Sequence, residues 1–177
     1  MRRIAIKGSS GAGKSTLAAA LADRLRIPHV ELDGLHHGPN WAAPSADAFQ
    51  ARVAAALDDE RGWIVDGNYE AKLGMLVIDR ADLIVWLDLP LPIKLARLTR
   101  RTARRYVTQE ELWNGNRENL RNLFWGDDKP LFTWAIQCHF RHRREWPALF
   151  EGRSFVRLRS SNEVQDWLDR QPRRAGA

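Results

Sequence analysis

The sequence predicts an α/β fold, a parallel sheet of five strands with helices on both faces. Two observations lead there. Short apolar runs of strand length alternate with longer helical patterns along the chain, and the first run passes through a glycine-rich turn directly into an Ala- and Leu-rich helix. The run Ala81–Asp88 is also apolar throughout its middle, as expected of a strand covered on both faces.

In chain order, Arg2–Lys7 is the first strand, with Ile4 and Ile6 in phase, and Lys14–Leu25 is the first helix. Arg26-Ile27-Pro28 ends that helix, because proline disfavours helical backbone at the residue before it. His29–Leu32 is the second strand, stopping at Asp33-Gly34, and His36–Pro44 is a polar loop. Ser45 is a good N-cap for a helix from Ala46 to about Asp59, with Phe49, Val53, Ala56 and Leu57 on one face. Gly62–Gly67 is a short strand running into a turn, and Ala81–Asp88 is the fourth strand. A helix from Pro92 to about Arg105 follows, with Ile93, Leu95, Ala96 and Leu98 as its apolar positions.

Beyond Tyr106 the pattern weakens. Glu110–Leu123 reads as a helix, Phe124–Pro130 as a loop, and Leu131–Phe150 as a helix with a basic face ending near Pro147. Ser154–Arg159 is the last strand, Asn162 caps a helix over Glu163–Arg170, and Gln171–Ala177 is expected to be disordered. With neither a repeat nor a linker, residues 1–170 read as one domain, and about 106–145 as a helical, lid-like insertion.

The hydrophobic fraction of 44% and charged fraction of 28% fit a soluble globular domain. No run approaches the roughly 18 apolar residues of a membrane span. The start, Met1-Arg2-Arg3-Ile4, is read as the first strand and not as a removable signal. One cysteine, Cys138, excludes an internal disulfide and suits a reducing cytoplasm. From Pro90 to Glu145 the chain carries twelve Lys or Arg against six Asp or Glu, the whole of its net +6. Such a stretch suits a clamp on polyphosphate, a patch for nucleic acid, or a solvated helix face.

The glycine-rich turn carries the chemistry. Gly8-Ser9-Ser10-Gly11-Ala12-Gly13-Lys14-Ser15 fits G-x-x-x-x-G-K-[ST] at every fixed position, and Thr16 follows. Glycines let backbone N–H groups point inward around phosphates, Lys14 reaches the β- and γ-phosphates, and the Ser15 hydroxyl is left for Mg²⁺. Strand before and helix after are the required context, with the helix N-terminus favouring an anion. The expected ligand is a nucleoside triphosphate, and the expected fold is the three-layer sandwich of P-loop nucleotide-binding proteins.

Ligands of such sheets collect at the carboxyl ends of the strands, where Asp33, Asp66 and Asp88 lie. Phosphoryl transfer needs a group that orients the acceptor hydroxyl and an acid near Mg²⁺. Asp33 is the candidate for the first and Asp66, ending the third strand, for the second; Asp88 is read as a helix-starting turn residue.

The element order and these motifs resemble the small P-loop kinases, the group of adenylate, shikimate and gluconate kinases. Asp66-Gly67 is similar to that group's acid-glycine turn after the third strand, and Ala81–Leu87 to its fourth strand. Arg97 and Arg101 resemble the lid arginines that grip ATP, and their spacing independently puts them on one helix face. Ile64–Tyr69 and Arg80–Asp82 with Trp86–Pro90 further resemble bacterial proteins described as DNA topology modulation or adenylate-kinase-related proteins. The resemblance runs from Arg3 to about Leu168 and implies ATP, Mg²⁺ and a kinase-like phosphotransferase with catalytic residues Lys14, Asp33, Arg97 and Arg101.

The acceptor side departs from the adenylate kinases. Where they place an arginine for the monophosphate, this chain continues Asn68-Tyr69-Glu70, and Leu32–His36 is closer to gluconate and adenylylsulfate kinases. An uncharged hydroxyl acceptor is therefore open, with Asn68 and Tyr69 to hydrogen-bond it and Trp41 to stack on it. Cys138, His139 and His142 lie close in sequence, but flanking arginines repel a cation and no second cysteine completes a zinc site. Trp113, Trp125 and Trp134 are read as packing, and one of Arg141, Arg143 and Arg144 as completing the phosphate clamp. Two functions remain: a Mg-ATP-dependent kinase of a nucleoside, nucleotide or small hydroxyl metabolite, or a nucleotide-binding regulator touching nucleic acid through its basic stretch. Monomer and homodimer both stay open.

Overall fold

Alternation along the strands sorts the sheet's side chains between two cores. In the computed structural model, which describes residues 2–117 and 130–173, Ile4, Ile6, Ile64, Val85, Leu87 and Leu158 face one side, and Ala5, Trp63, Val65, Ile84 and Trp86 the other. The strands are β1 (Arg3–Lys7), β2 (His29–Glu31), β3 (Trp63–Asp66), β4 (Leu83–Leu87) and β5 (Phe155–Leu158). All pairings are parallel, in the order β2-β3-β1-β4-β5. The expected five-stranded α/β sandwich is what the chain forms.

On the first face lie helix α1 (Lys14–Leu25), through Leu17, Ala18, Leu21 and Leu25, and the last helix, α8 (Ser161–Asp169), through Val164, Trp167 and Leu168. The other face is covered by α3 (Ala46–Ala56), the short α4 (Glu70–Leu73) and α5 (Leu76–Arg80), and the long α7 (Leu131–Leu149). Phe49 and Val53 of α3 and Trp146 of α7 are buried there, together with Phe150 just after α7. The remaining helices are α2 (Leu32–His36) and α6 (Leu91–Thr108), with single 3₁₀ turns at Pro39–Trp41 and Trp113–Gly115.

Several local expectations are corrected. Leu32 does not extend the second strand but opens α2, so Asp33 sits in a helical turn. The helix expected from Glu110 is replaced, through residue 117, by the Trp113–Gly115 turn and a bridge between Glu111 and Arg117; the rest of that expectation, Phe124–Lys129 and Trp125 lie outside the described residues. Helix α7 continues through Pro147 to Leu149, because Trp146 and Phe150 anchor both sides of the proline in the core. The last helix is capped by Ser160, whose Oγ accepts the Glu163 amide at 3.1 Å, and not by Asn162. Gln171 is held as well, its carbonyl accepting from Arg24 at 2.7 Å. On α6 the buried positions are Lys94, Leu98 and Thr102, while Ile93 and Ala96 are exposed.

Helix α7 also places a pH-sensitive contact in the core. The buried His142 ring stacks on Trp146 at 3.7 Å, and burial, followed by the charge of Arg141, pushes its pKa from the ordinary 6.5 down to about 3. A histidine held neutral in the fold contributes stability above about pH 6.5 that is lost as pH falls. Thermal unfolding is expected to show this as a loss of about 2 kcal/mol from His142 by pH 5, with His142→Phe flattening that part of the profile. An unchanged slope in the variant would contradict it.

Candidate active site

The order of strands reverses about β1, so the loop leaving β1 opens between β3 and β4, where ligands of parallel sheets bind. The loop Gly8–Gly13 leads into α1 at Lys14, which puts the helix N-terminus at the crevice. Its backbone runs hard against the start of α6. At Gly11, whose φ is +78°, an added Cβ would lie 2.2 Å from the Lys94 carbonyl oxygen, so only glycine fits. Lys7, just before the loop, is buried and donates to the Gly67 carbonyl at 2.9 Å and to Glu70 at 2.6 Å, tying β1 to the turn after β3.

Asp66 ends β3 beside the loop. It is buried, its Oδ2 accepting from the Ser15 hydroxyl at 2.5 Å and its Oδ1 lying 3.1 Å from His29 Nε2. A hydroxyl and a carboxylate oxygen brought together beside a phosphate-type loop match a hard cation that keeps its other positions for water and phosphate oxygens, as Mg²⁺ does. Lys14 is half-buried; burial lowers its pKa, the Asp33 and Asp66 carboxylates raise it, and the Arg101 and Lys7 charges lower it. Arg97 points at the loop, 3.4 Å from the Ala12 carbonyl, and also donates to Ser161 at 2.9 Å. Lys14, Asp33, Asp66 and Arg101 thus share one electrostatic environment, with Arg97 at the rim of the loop.

The residues expected to meet an acceptor take the following places. Tyr69 donates its hydroxyl to Asp33 at 2.7 Å; burial, then the Asp33 charge, raises the phenol's pKa, so Tyr69 remains a donor. Asn68 is turned to the loop, its amide donating to the Gly8 carbonyl at 2.7 Å. Trp41 stands in an aromatic group with His37, at 5.2 Å, and its backbone N–H donates to Asn116 at 2.8 Å. Trp113 reaches over α2, stacking on His37 at 5.7 Å and donating to Glu31 at 2.7 Å, while Asn114 donates to the His37 carbonyl at 2.5 Å. His36 packs on Tyr69 at 4.7 Å, and burial, then the Lys72 charge, lowers its pKa to about 4, leaving Nε2 free to accept from Lys72 at 2.5 Å.

Several further groups near the loop take places that local sequence pattern does not fix. Asp88 does not start a helix: it is a buried carboxylate accepting from Arg143 at 2.8 Å and from Arg157 at 2.6 Å. Of the three arginines on α7 considered for a clamp, Arg143 is thereby tied to the end of β4, Arg144 pairs with Glu145, and Arg141 lies over the Trp134 ring. Lys94 is buried against Ser9 and His139, a placement its i, i+4 and i+8 spacing with Leu98 and Thr102 foretells. His139 and His142 are thus occupied by Lys94 and Trp146. Among the described residues no group of three or more His, Cys, Asp or Glu could hold a metal ion, and no helix is long and apolar enough to cross a membrane.

No family model and no curated protein matches the chain. Solved structures do. The shikimate kinase of Acinetobacter baumannii in complex with shikimate aligns over 96% of this chain and 89% of its own, at a TM-score of 0.59 and 14% identity. A deoxyadenosine kinase from M. mycoides, with dCMP and dCDP bound, covers 94% of each chain at a TM-score of 0.54 and 12% identity. A gluconokinase from Sinorhizobium meliloti covers 96% and 92%, at 0.53 and 18%. All three share its fold, that of the small P-loop kinases.

Proposed function

We propose that the protein is a phosphotransferase that moves the γ-phosphoryl group of Mg-ATP to a hydroxyl of a small-molecule acceptor. The observation that carries the reading is the placement of Asp33: fixed by Tyr69 at 2.7 Å, it is close enough to act on the charge of Lys14, the phosphate-loop lysine. A carboxylate held beside the phosphate site is what an acceptor hydroxyl needs in order to be oriented for in-line attack.

The donor side is built from Gly8–Thr16, with backbone N–H groups and Lys14 on the phosphates. When bound, Mg²⁺ neutralises charge on the β- and γ-phosphates, and Ser15 Oγ and Asp66 Oδ2 are the oxygens that would hold it. Lys14, Arg97 and Arg101 stabilise the negative charge of the transferring group by position and electrostatics. Asp33 accepts the acceptor hydroxyl's hydrogen bond and takes its proton as the new P–O bond forms and the bond from the γ-phosphorus to the bridging oxygen breaks, releasing ADP. The aromatic side chains of Trp41 and Tyr69, with Trp113 laid over α2, wall the acceptor side and exclude water. The sequence likeness of Ile64–Tyr69 and Trp86–Pro90 to adenylate-kinase-related proteins accords with this reading.

The test is ADP release from Mg-ATP with pooled nucleosides, nucleoside monophosphates, sugars and sugar acids as acceptors. One pool is expected to raise turnover well above the acceptor-free rate, and removal of Mg²⁺ with EDTA to abolish the gain. A rate that no pool raises, or that survives EDTA, would contradict the proposal.

A further inference from the structure

We propose that Lys94 is a positioning residue of the phosphate loop, its buried amino group holding Ser9 and becoming an ammonium, with a proton taken from the buffer, when a nucleoside polyphosphate binds. This rests on the loop being a polyphosphate site. Lys94 lies in the first turns of α6, 3% exposed, a burial that a lysine reaches only with partners. Its Nζ donates to Ser9 Oγ at 2.8 Å and to His139 Nδ1 at 2.6 Å, and its own carbonyl is what closes on Gly11. One residue therefore touches the loop twice, by side chain at Ser9 and by backbone at Gly11, and joins it to α7.

The groups facing it come from three elements. Ser9 and Lys14 belong to the loop, Asp88 follows β4, and Cys138, His139 and Arg143 come from α7. Burial, then the Lys94 and Arg143 charges, lowers the His139 pKa, so its ring is neutral and Nδ1 has a lone pair to accept with. For Lys94, burial outweighs the attraction of Asp88, and its pKa falls to about 8. Near pH 8.5 most of the free protein thus holds Lys94 uncharged. Phosphates arriving beside Lys14 add negative charge that favours the ammonium form, and the proton comes from the buffer.

Lys14 is the other lysine whose proton affinity is lowered here, so the variants must separate the two. Calorimetric titration with the Mg²⁺ complex of a non-hydrolysable imido analogue of ATP at pH 8.5, in two buffers of different ionisation enthalpy, counts the protons taken up. The wild type is expected to take up roughly 0.7 proton. Lys94→Met is expected to take up none and, at pH 7, to bind about tenfold more weakly. Lys94→Arg, charged at every pH used, is expected to bind without uptake and without the wild type's loss of affinity above pH 8. Uptake that persists in Lys94→Met assigns the proton to Lys14 and overturns the proposal, as does binding by the wild type without uptake. A wild type that does not bind the analogue removes the loop reading itself.

Discussion

Lys14→Ala lowers acceptor-dependent turnover by on the order of 10³-fold or more, the largest effect expected of any single substitution in this chain. The lysine sits at the N-terminus of α1, where loop N–H groups and the helix dipole already favour an anion. Its partial burial amplifies its charge, and the Asp33 and Asp66 carboxylates oppose the lowering of its pKa that burial imposes. Removal takes away the phosphate-loop cation expected to stay with the γ-phosphoryl as it moves. It also leaves two carboxylates without their shared cation, so affinity for Mg-ATP falls with turnover. Kinetics with ATP and the activating acceptor pool measure both. Turnover within tenfold of wild type would mean that Lys14 does not touch the reacting phosphate.

Asp33→Asn separates acceptor chemistry from donor binding. The asparagine oxygen still accepts the Tyr69 hydroxyl, so α2 and the turn after β3 keep their contact. What is lost is the negative charge that takes the acceptor proton, and turnover is expected to fall about 10²–10³-fold. Affinity for Mg-ATP is expected to stay within about twofold. A second consequence has a definite sign. Asp33 is the carboxylate that most raises the Lys14 pKa, so its neutralisation moves the alkaline limb of the pH–rate profile to lower pH. A variant with unchanged turnover, or with nucleotide affinity lost in proportion to rate, would place Asp33 elsewhere in the mechanism.

What was legible in the sequence was the part that local pattern determines. Ile4 and Ile6 in phase, the spacing of Gly8, Gly13 and Lys14, and the apolar middle of Ala81–Asp88 lead to β1, the loop and β4, and Lys14–Leu25 is a helix over those very residues. From these the five-stranded parallel sheet follows by the rules of connection. What escaped depends on partners distant in sequence. Leu32-Asp33-Gly34 looks like the end of a strand, and it turns helical where Trp113, far along the chain, packs within 3.0 Å of the space a Gly34 side chain would need. Asp88 precedes a helix and so looks like a cap, but Arg143 and Arg157, brought from α7 and β5, claim both of its oxygens. Lys94 shares a helix face with Leu98 and Thr102, but the partners that let a lysine be buried there, Ser9 and His139, come from the loop and from α7. Asn68 reads as a hydrogen-bonding partner of an acceptor, and its contact with the Gly8 backbone is visible only in three dimensions.

The central claim is that the γ-phosphoryl group goes to an organic hydroxyl. It is tested most directly with ATP labelled in that group, incubated with Mg²⁺, the protein and the acceptor pools, and followed by separation of the labelled products. Label is expected on a phosphorylated member of one pool, formed in step with ADP. Label that reaches only inorganic phosphate, at a rate no pool changes, would contradict the claim and make the crevice a site of hydrolysis.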